Sequence, residues 1–170
     1  LHPEVTEDGR YLVVTIAGDS FIYNRLSCAR LEEWRSHADG NTPTGGPSAA
    51  DAHAPALDVV PVFDALDASY ECVGTVGEEL LVLTSKNAPR RRIVAVHPDR
   101  PTQMRTVVPE TEDVIGEAAA AGGQLVVTRM HDAHDVVERF AFDGTPLGEI
   151  GLPGIGSASG AASRSLASQT

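Results

Sequence analysis

Two cysteines in 170 residues are too few for a disulfide framework. Cys28 and Cys72 therefore read as small, half-buried apolar residues in a reducing, cytoplasmic setting. Long apolar runs are missing as well, and none approaches the length a bilayer-spanning helix needs. The start of the chain has no basic stretch leading into an apolar core, so no secretory signal is visible. It also has no initiator Met, and the true N-terminus is expected to lie upstream. Positive charge is scarce: 13 Lys and Arg stand against 24 Asp and Glu, a formal net charge of −11. Nucleic acid or an anionic membrane would be repelled by such a chain. Aromatic residues make up only 5%. The Trp-Asp and the Gly-Gly-plus-aromatic signatures of the common protein-binding propellers are absent, and Gly122-Gly123 alone does not replace them.

What is present is an ordinary globular composition, 42% hydrophobic and 22% charged, long enough for one domain with a real core. Its centre is residues 69–109. Four short strands are expected there, at 70–76, 80–84, 92–96 and 105–108, in the rhythm of an antiparallel meander. Pro89, Pro98 and Pro101 fall in the gaps, where no ladder hydrogen bond is lost. The run Leu80-Leu81-Val82-Leu83 does not alternate, so both of its faces should be buried. One sheet cannot do that alone; it needs sheets stacked on either side.

The chain repeats the pattern that would supply them. Leu12-Val13-Val14-Thr15, Leu81-Val82-Leu83-Thr84 and Leu125-Val126-Val127-Thr128 each follow a turn signal and precede an Arg-plus-apolar pair: Arg25-Leu26, Arg92-Ile93 and Arg139-Phe140. The step from Thr84 to Thr128 is about 44 residues, within the range of propeller blades. The longer first step contains residues 36–58, rich in Gly, Pro, Ala and Ser. That stretch reads as a disordered insert, because it has too little apolar surface to offset the entropy of ordering it. The expected fold is all-β: a partial β-propeller of about three four-stranded antiparallel blades near 1–63, 64–109 and 110–152, with a frayed tail at 161–170. Further strands are expected at 11–16, 24–28 and 59–63, with Pro61 marking a sheet edge. Residues 31–37 have some helical propensity. The alanines at 118–121 invite a helix, but the repeat requires an innermost strand over 114–121, where small residues suit a crowded axis. Strands at 125–129, 136–142 and 147–150 complete the third blade, with Asp143-Gly144 as a hairpin turn.

Motifs for chemistry are weak. His131-Asp132-Ala133-His134-Asp135 has ligand-type side chains, but at a hairpin tip the two histidines do not share a face and no third ligand is evident, so no metal site is expected. The tract 154–160 satisfies neither the nucleophile-elbow spacing around Ser157 or Ser159 nor the dinucleotide fingerprint. Arg90-Arg91-Arg92 reads as local charge balance. No catalytic residue and no cofactor is expected.

Several stretches resemble one family. Residues 4–14, followed by Asn24-Arg25-Leu26, are similar to the propeller domain of the prolyl oligopeptidases. So are residues 63–70, Asn87-Ala88-Pro89 with Arg92-Ile93, Val107-Val108-Pro109-Glu110, and the region around 147–156. They occur in the family's order and cover most of 4–30 and 59–160. The resemblance implies a serine endopeptidase that cuts short peptides after proline. A seven-bladed propeller there covers an α/β-hydrolase domain and limits entry to short proline-containing peptides. The hydrolase domain of the same polypeptide would be the partner and would carry the catalytic triad, so this chain alone is expected to be inactive. The loop 17–20 falls where the family's propeller reaches the substrate pocket, which makes Ala17 and Ser20 candidate pocket-wall residues; the family often has Arg where this chain has Ala17. Residues 27–58 and 161–170 depart from the family pattern. The alternatives are a non-enzymatic propeller acting as a protein-interaction module, and a non-functional fragment.

Overall fold

The computed structural model describes residues 1–18, 22–32, 57–132 and 134–151. Ser20, most of the 36–58 stretch, most of 31–37, the 154–160 tract and the 161–170 tail lie outside them. Among the described residues, twelve strands form three four-stranded antiparallel sheets. The first contains β1 (His2–Val5), β2 (Tyr11–Ala17), β3 (Asn24–Arg30) and β4 (Val60–Phe63). The second contains β5 (Tyr70–Val76), β6 (Glu79–Thr84), β7 (Arg92–Val96) and β8 (Met104–Val108). The third contains β9 (Val114–Ala121), β10 (Gln124–His131), β11 (His134–Phe140) and β12 (Pro146–Ile150). Within each sheet the spatial order follows the chain order. These are up-and-down meanders, which short turns alone can connect.

Turn chemistry fixes the ends. Gly77, Gly122 and Gly123 take positive φ at the β5–β6 and β9–β10 turns. Thr6 holds the wider β1–β2 turn: its hydroxyl donates to Asp8, and the Tyr11 amide donates back to it at 3.1 Å. Pro61 lies in the outer strand β4, opposite Ser27 beside a register shift, where a missing N–H costs nothing. Strand β1 is not anticipated above. Its sequence, His-Pro-Glu-Val, has a Pro and is exposed throughout, so it shows none of the apolar alternation that identifies a strand. Strand β3 also runs on to Arg30, into the stretch that departs from the family pattern.

Two cores hold the sheets face to face. Tyr11, Val13, Leu26 and Cys28 of the first sheet meet Tyr70, Leu80, Val82, Val94 and Val96 of the second. The other face of the second sheet, with Leu81, Leu83, Ile93 and Ala95, meets Ile115, Leu125, Val127 and Phe140 of the third. Leu80, Leu81, Val82 and Leu83 are each 0% exposed, so the continuous apolar run does lie between two neighbours. Leu81→Ala removes a side chain with no exposed surface. It should lower unfolding free energy by about 3 kcal/mol, read as a fall in urea midpoint at unchanged slope.

The repeat is correct in the order of its strands but not in its register. Thr84 shares a face with Leu80 and Val82, toward the first sheet. Thr128 lies on the face opposite to Leu125 and Val127, away from the second sheet. The three arginines are likewise offset, since Arg25 pairs with Ile16, Arg92 with Thr84 and Arg139 with Val126. A one-residue slip in a period-two element changes the face.

Backbone and side-chain bonds tie the sheets edge to edge. Arg10 Nη1 donates to the Gly77 carbonyl at 2.6 Å, Tyr11 Oη to Glu78 O at 3.1 Å and Thr75 Oγ1 to Asp8 at 2.9 Å. Asn24 grips Tyr70 at the opposite end: its Nδ2 donates to Tyr70 O at 2.7 Å and its Oδ1 accepts from Tyr70 N at 2.8 Å. Between the second and third sheets, Arg91 Nη1 donates to Gly116 O at 2.8 Å and Arg105 Nη1 to Phe142 O at 3.2 Å.

Candidate functional site

The first strand of each sheet faces a shared hollow of about 530 Å³. From the first sheet it is lined by His2 and Glu4 on β1 and by their register partners Thr15 and Val13 on β2. The second sheet contributes residues 70–74 of β5, and the third residues 118–120 of β9. The paired bonds above show how this arises. Asp8–Thr75 and Arg10–Gly77 hold two turns side by side at one end, and Asn24–Tyr70 aligns the other end.

Small residues allow the inner strands to converge. A Cβ at Gly74 would overlap the Cβ of Ala120, so β5 and β9 approach closely only because one side chain is absent and the other is a methyl. The alanines at 118–121 are strand despite their helical propensity, paired with β10 over their whole length, and at Ala120 the contact with Gly74 leaves no room for a larger side chain.

The hollow's polar lining is acidic. Glu4, Glu7 and Glu71 line it, and no Lys or Arg does among the described residues. Glu71 is paired with Arg91 at 3.0 Å. Asp8, at the turn, stays below the usual carboxylate range: burial opposes its charge, but bonds from Thr6, the Arg10 amide and Thr75 outweigh burial. Cys72 also lines the hollow, and burial pushes its thiol up to about 12; Cys28, in the core beside it, is pushed up by burial to about 11. Both thiols are free and stay protonated at neutral pH, so neither is an activated nucleophile.

Ala17 is exposed at the end of β2. It lies two residues beyond Thr15 on the same face, about 7 Å along the strand, and is not among the residues that line the hollow. Its methyl group can make no hydrogen bond. Ser20, the other sequence candidate, falls outside the described residues. The larger set, on β1, β5 and β9, could not be picked out by sequence reasoning, because it joins residues about 70 apart and β1 carries no strand signature. The Thr6-to-Tyr11 turn is the signal that could have revealed β1.

The His131 turn is tied to the preceding connection. His131 Nδ1 lies 3.0 Å from Asp113, and the His131 and His134 rings stand perpendicular at 5.6 Å. The bond to Asp113 raises the His131 pKa above the ordinary 6.5. A pKa raised on folding stabilises below 6.5, and the benefit fades as pH rises through the folded value. An NMR titration should place His131 above 6.5, and Asp113→Asn should bring it back.

A family model described as the prolyl oligopeptidase N-terminal β-propeller domain matches residues 1–169. The match runs through both 27–58 and 161–169, so the departures noted in those stretches do not end the likeness. A prolyl endopeptidase of Elizabethkingia meningoseptica is 29% identical over 158 residues, covering 92% of this chain and 19% of that protein. Prolyl oligopeptidase A of Galerina marginata is 23% identical over 156 residues, again 19% of its length. A solved structure from a study of two prolyl endopeptidases and the role of inter-domain dynamics in their catalysis and specificity superposes with a TM-score of 0.73 at 31% identity, over 93% of this chain and 20% of that one. Ligand-free prolyl oligopeptidase B of Galerina marginata shares the fold, with a TM-score of 0.72 at 19% identity over 92% of this chain and 20% of that one. The chain thus spans about a fifth of the length of the relatives it matches.

Proposed function

This chain belongs to the family of prolyl oligopeptidase N-terminal β-propeller domains, and we propose that it is the part of such a propeller that covers a peptidase active site and screens what reaches it. The peptidase is a serine endopeptidase cutting short peptides after proline, and its α/β-hydrolase domain, in the same polypeptide, is the partner. The observation that carries this reading is the hollow. Three sheets turn their first strands toward one space. A space walled by ladder-bonded strands admits an extended peptide and excludes a folded domain on size alone. Converging strands also keep the walls rigid, so the limit is set by the fold and not by one side chain.

The 170-residue chain should not hydrolyse a proline-containing chromogenic peptide, since both thiols are protonated and no activated nucleophile is evident among the described residues. The screening role is tested in the polypeptide that carries the hydrolase domain. Turnover should be high on a proline-containing octapeptide and lost on the same sequence placed within a folded domain. Equal turnover of the two would remove the reading.

A further inference from the structure

We propose that His131 and Asp113 form a proton-operated clasp: with the imidazole charged, the β10–β11 turn is held against the connection between the second and third sheets, and with it neutral the turn is released. The clasp is a conformational device of the fold and does not depend on what the hollow meets.

One half of the clasp is fixed. Asp113 belongs to the 109–113 connection, which the buried Arg129 holds: Nη1 donates to the Thr111 hydroxyl at 2.8 Å and Nη2 to Pro109 O at 3.3 Å. The Asp113 amide donates to the same hydroxyl at 3.3 Å, so the backbone that carries the carboxylate is pinned. The other half is loose. Met130, His131 and Asp132 are exposed, and Asp132 takes φ 43°, a left-handed conformation that costs a residue with a Cβ. Among the described residues, His131 alone of these three bonds another element through its side chain.

The bond is of a kind that a proton controls. Nδ1 lies 3.0 Å from both carboxylate oxygens of Asp113, and Nε2 lies 3.6 Å from Asp132. Each ring nitrogen therefore faces a carboxylate. An imidazolium has a proton for each; a neutral ring has one proton for the two and turns a lone pair toward the carboxylate left over. The surrounding groups favour the charged form. Glu149 on β12 adds negative potential. On β11, His134 stands perpendicular at 5.6 Å, and Asp135 follows it, paired with Met130. From β9 comes Val114, which carries no charge. Arg129, the cation on the same strand, is engaged by Glu138 at 2.6 Å. The raised pKa of His131 follows from the Asp113 bond first. The clasp is thus closed below 6.5 and opens as pH rises through the folded value.

The second-to-third-strand turns of the three sheets share one end of the molecule. Asn24, opposite Ala17, accepts from the amide of Tyr70, which pairs with Thr84 at the base of the β6–β7 turn. Arg90 O in that turn accepts from Ile115, the register partner of Arg129. Opening the clasp changes the surface of the end that carries Ala17.

Amide exchange with water is measured by NMR on the whole 170-residue chain at about pH 6 and about pH 8.5. Each rate is divided by that of the same residue in an unstructured peptide. Protection at residues 130–132 and 134 should fall about threefold to fivefold between the two, the size an exposed ion pair supports. Residues 85–91, in the β6–β7 turn, should keep theirs, in the variants as well, which reports an intact fold. Asp113→Asn and His131→Gln remove opposite partners, and each should show the low protection at both pH values. His134→Gln should leave the response in place. Equal protection at both pH values in the unaltered chain, a response that survives Asp113→Asn, or one lost as fully in His134→Gln as in His131→Gln would each overturn the proposal.

Discussion

Replacing Gly144 by Ala should cost the fold about 3 kcal/mol, well beyond what a surface turn ordinarily loses. Two effects combine at this position. Gly144 has φ +95°, which an L side chain adopts only under strain, and a Cβ there would overlap the carbonyl oxygen of Val107. Val107 is on β8 and Gly144 is in the β11–β12 turn, so the clash falls on the seam between the second and third sheets. The atom in the way is backbone and cannot rotate aside. Gly77→Ala is the control. Its φ is +58° and nothing lies within 4 Å of the added carbon, so only the left-handed penalty of about 1 kcal/mol remains. Thermal melting of both variants separates the seam from the turn. A Gly144→Ala variant no less stable than Gly77→Ala would show that the two sheets do not meet as described.

Arg129→Ala should cost a comparable amount, about 3–5 kcal/mol. The Arg129 side chain is only 6% exposed, and its guanidinium is engaged on all sides. Nε donates to Glu138 at 2.6 Å, Nη1 to the Thr111 hydroxyl at 2.8 Å, and Nη2 to Pro109 O at 3.3 Å. Residues 109–113 form the connection between the second and third sheets, so one side chain of β10 fixes both a cross-strand partner and the incoming chain. Truncation leaves the Glu138 carboxylate, 28% exposed, without its counter-charge and the connection without its donors. Arg129→Lys should recover only part of the loss, because a single ammonium cannot reach three acceptors in a planar fan. Urea midpoints measure both; a change within about 0.5 kcal/mol for Arg129→Ala would place the residue among ordinary surface groups.

The sequence makes the fold more legible than the site. Strands of the second sheet are visible because Leu80-Leu81-Val82-Leu83 has no polar face to mistake for a helix's outer side. The strand over 114–121 is found against its own helical propensity, from the repeat alone. What the repeat cannot supply is register: Thr84 and Thr128 occupy matching places in a written pattern and opposite faces in the sheets, because one residue of slip is invisible to composition. Strand β1 is hidden for a different reason. It is held by four register pairs to β2 and by turn bonds at Thr6, while its own side chains are all exposed and include a Pro. The hollow inherits that blindness. Ala17 is marked by a family likeness, but Glu4, Gly74 and Ala120 come together only through sheet stacking, which no local pattern encodes.

The axial placement of the peptide-facing surface is tested most directly by photo-crosslinking. A proline-containing octapeptide bearing a benzophenone is irradiated with the protein, and the labelled segments are identified by mass spectrometry. The account predicts label on residues 2–7, 70–74 and 118–120, from three different sheets. Label concentrated on the outer strands β4, β8 and β12, with none on β1, β5 or β9, would contradict it.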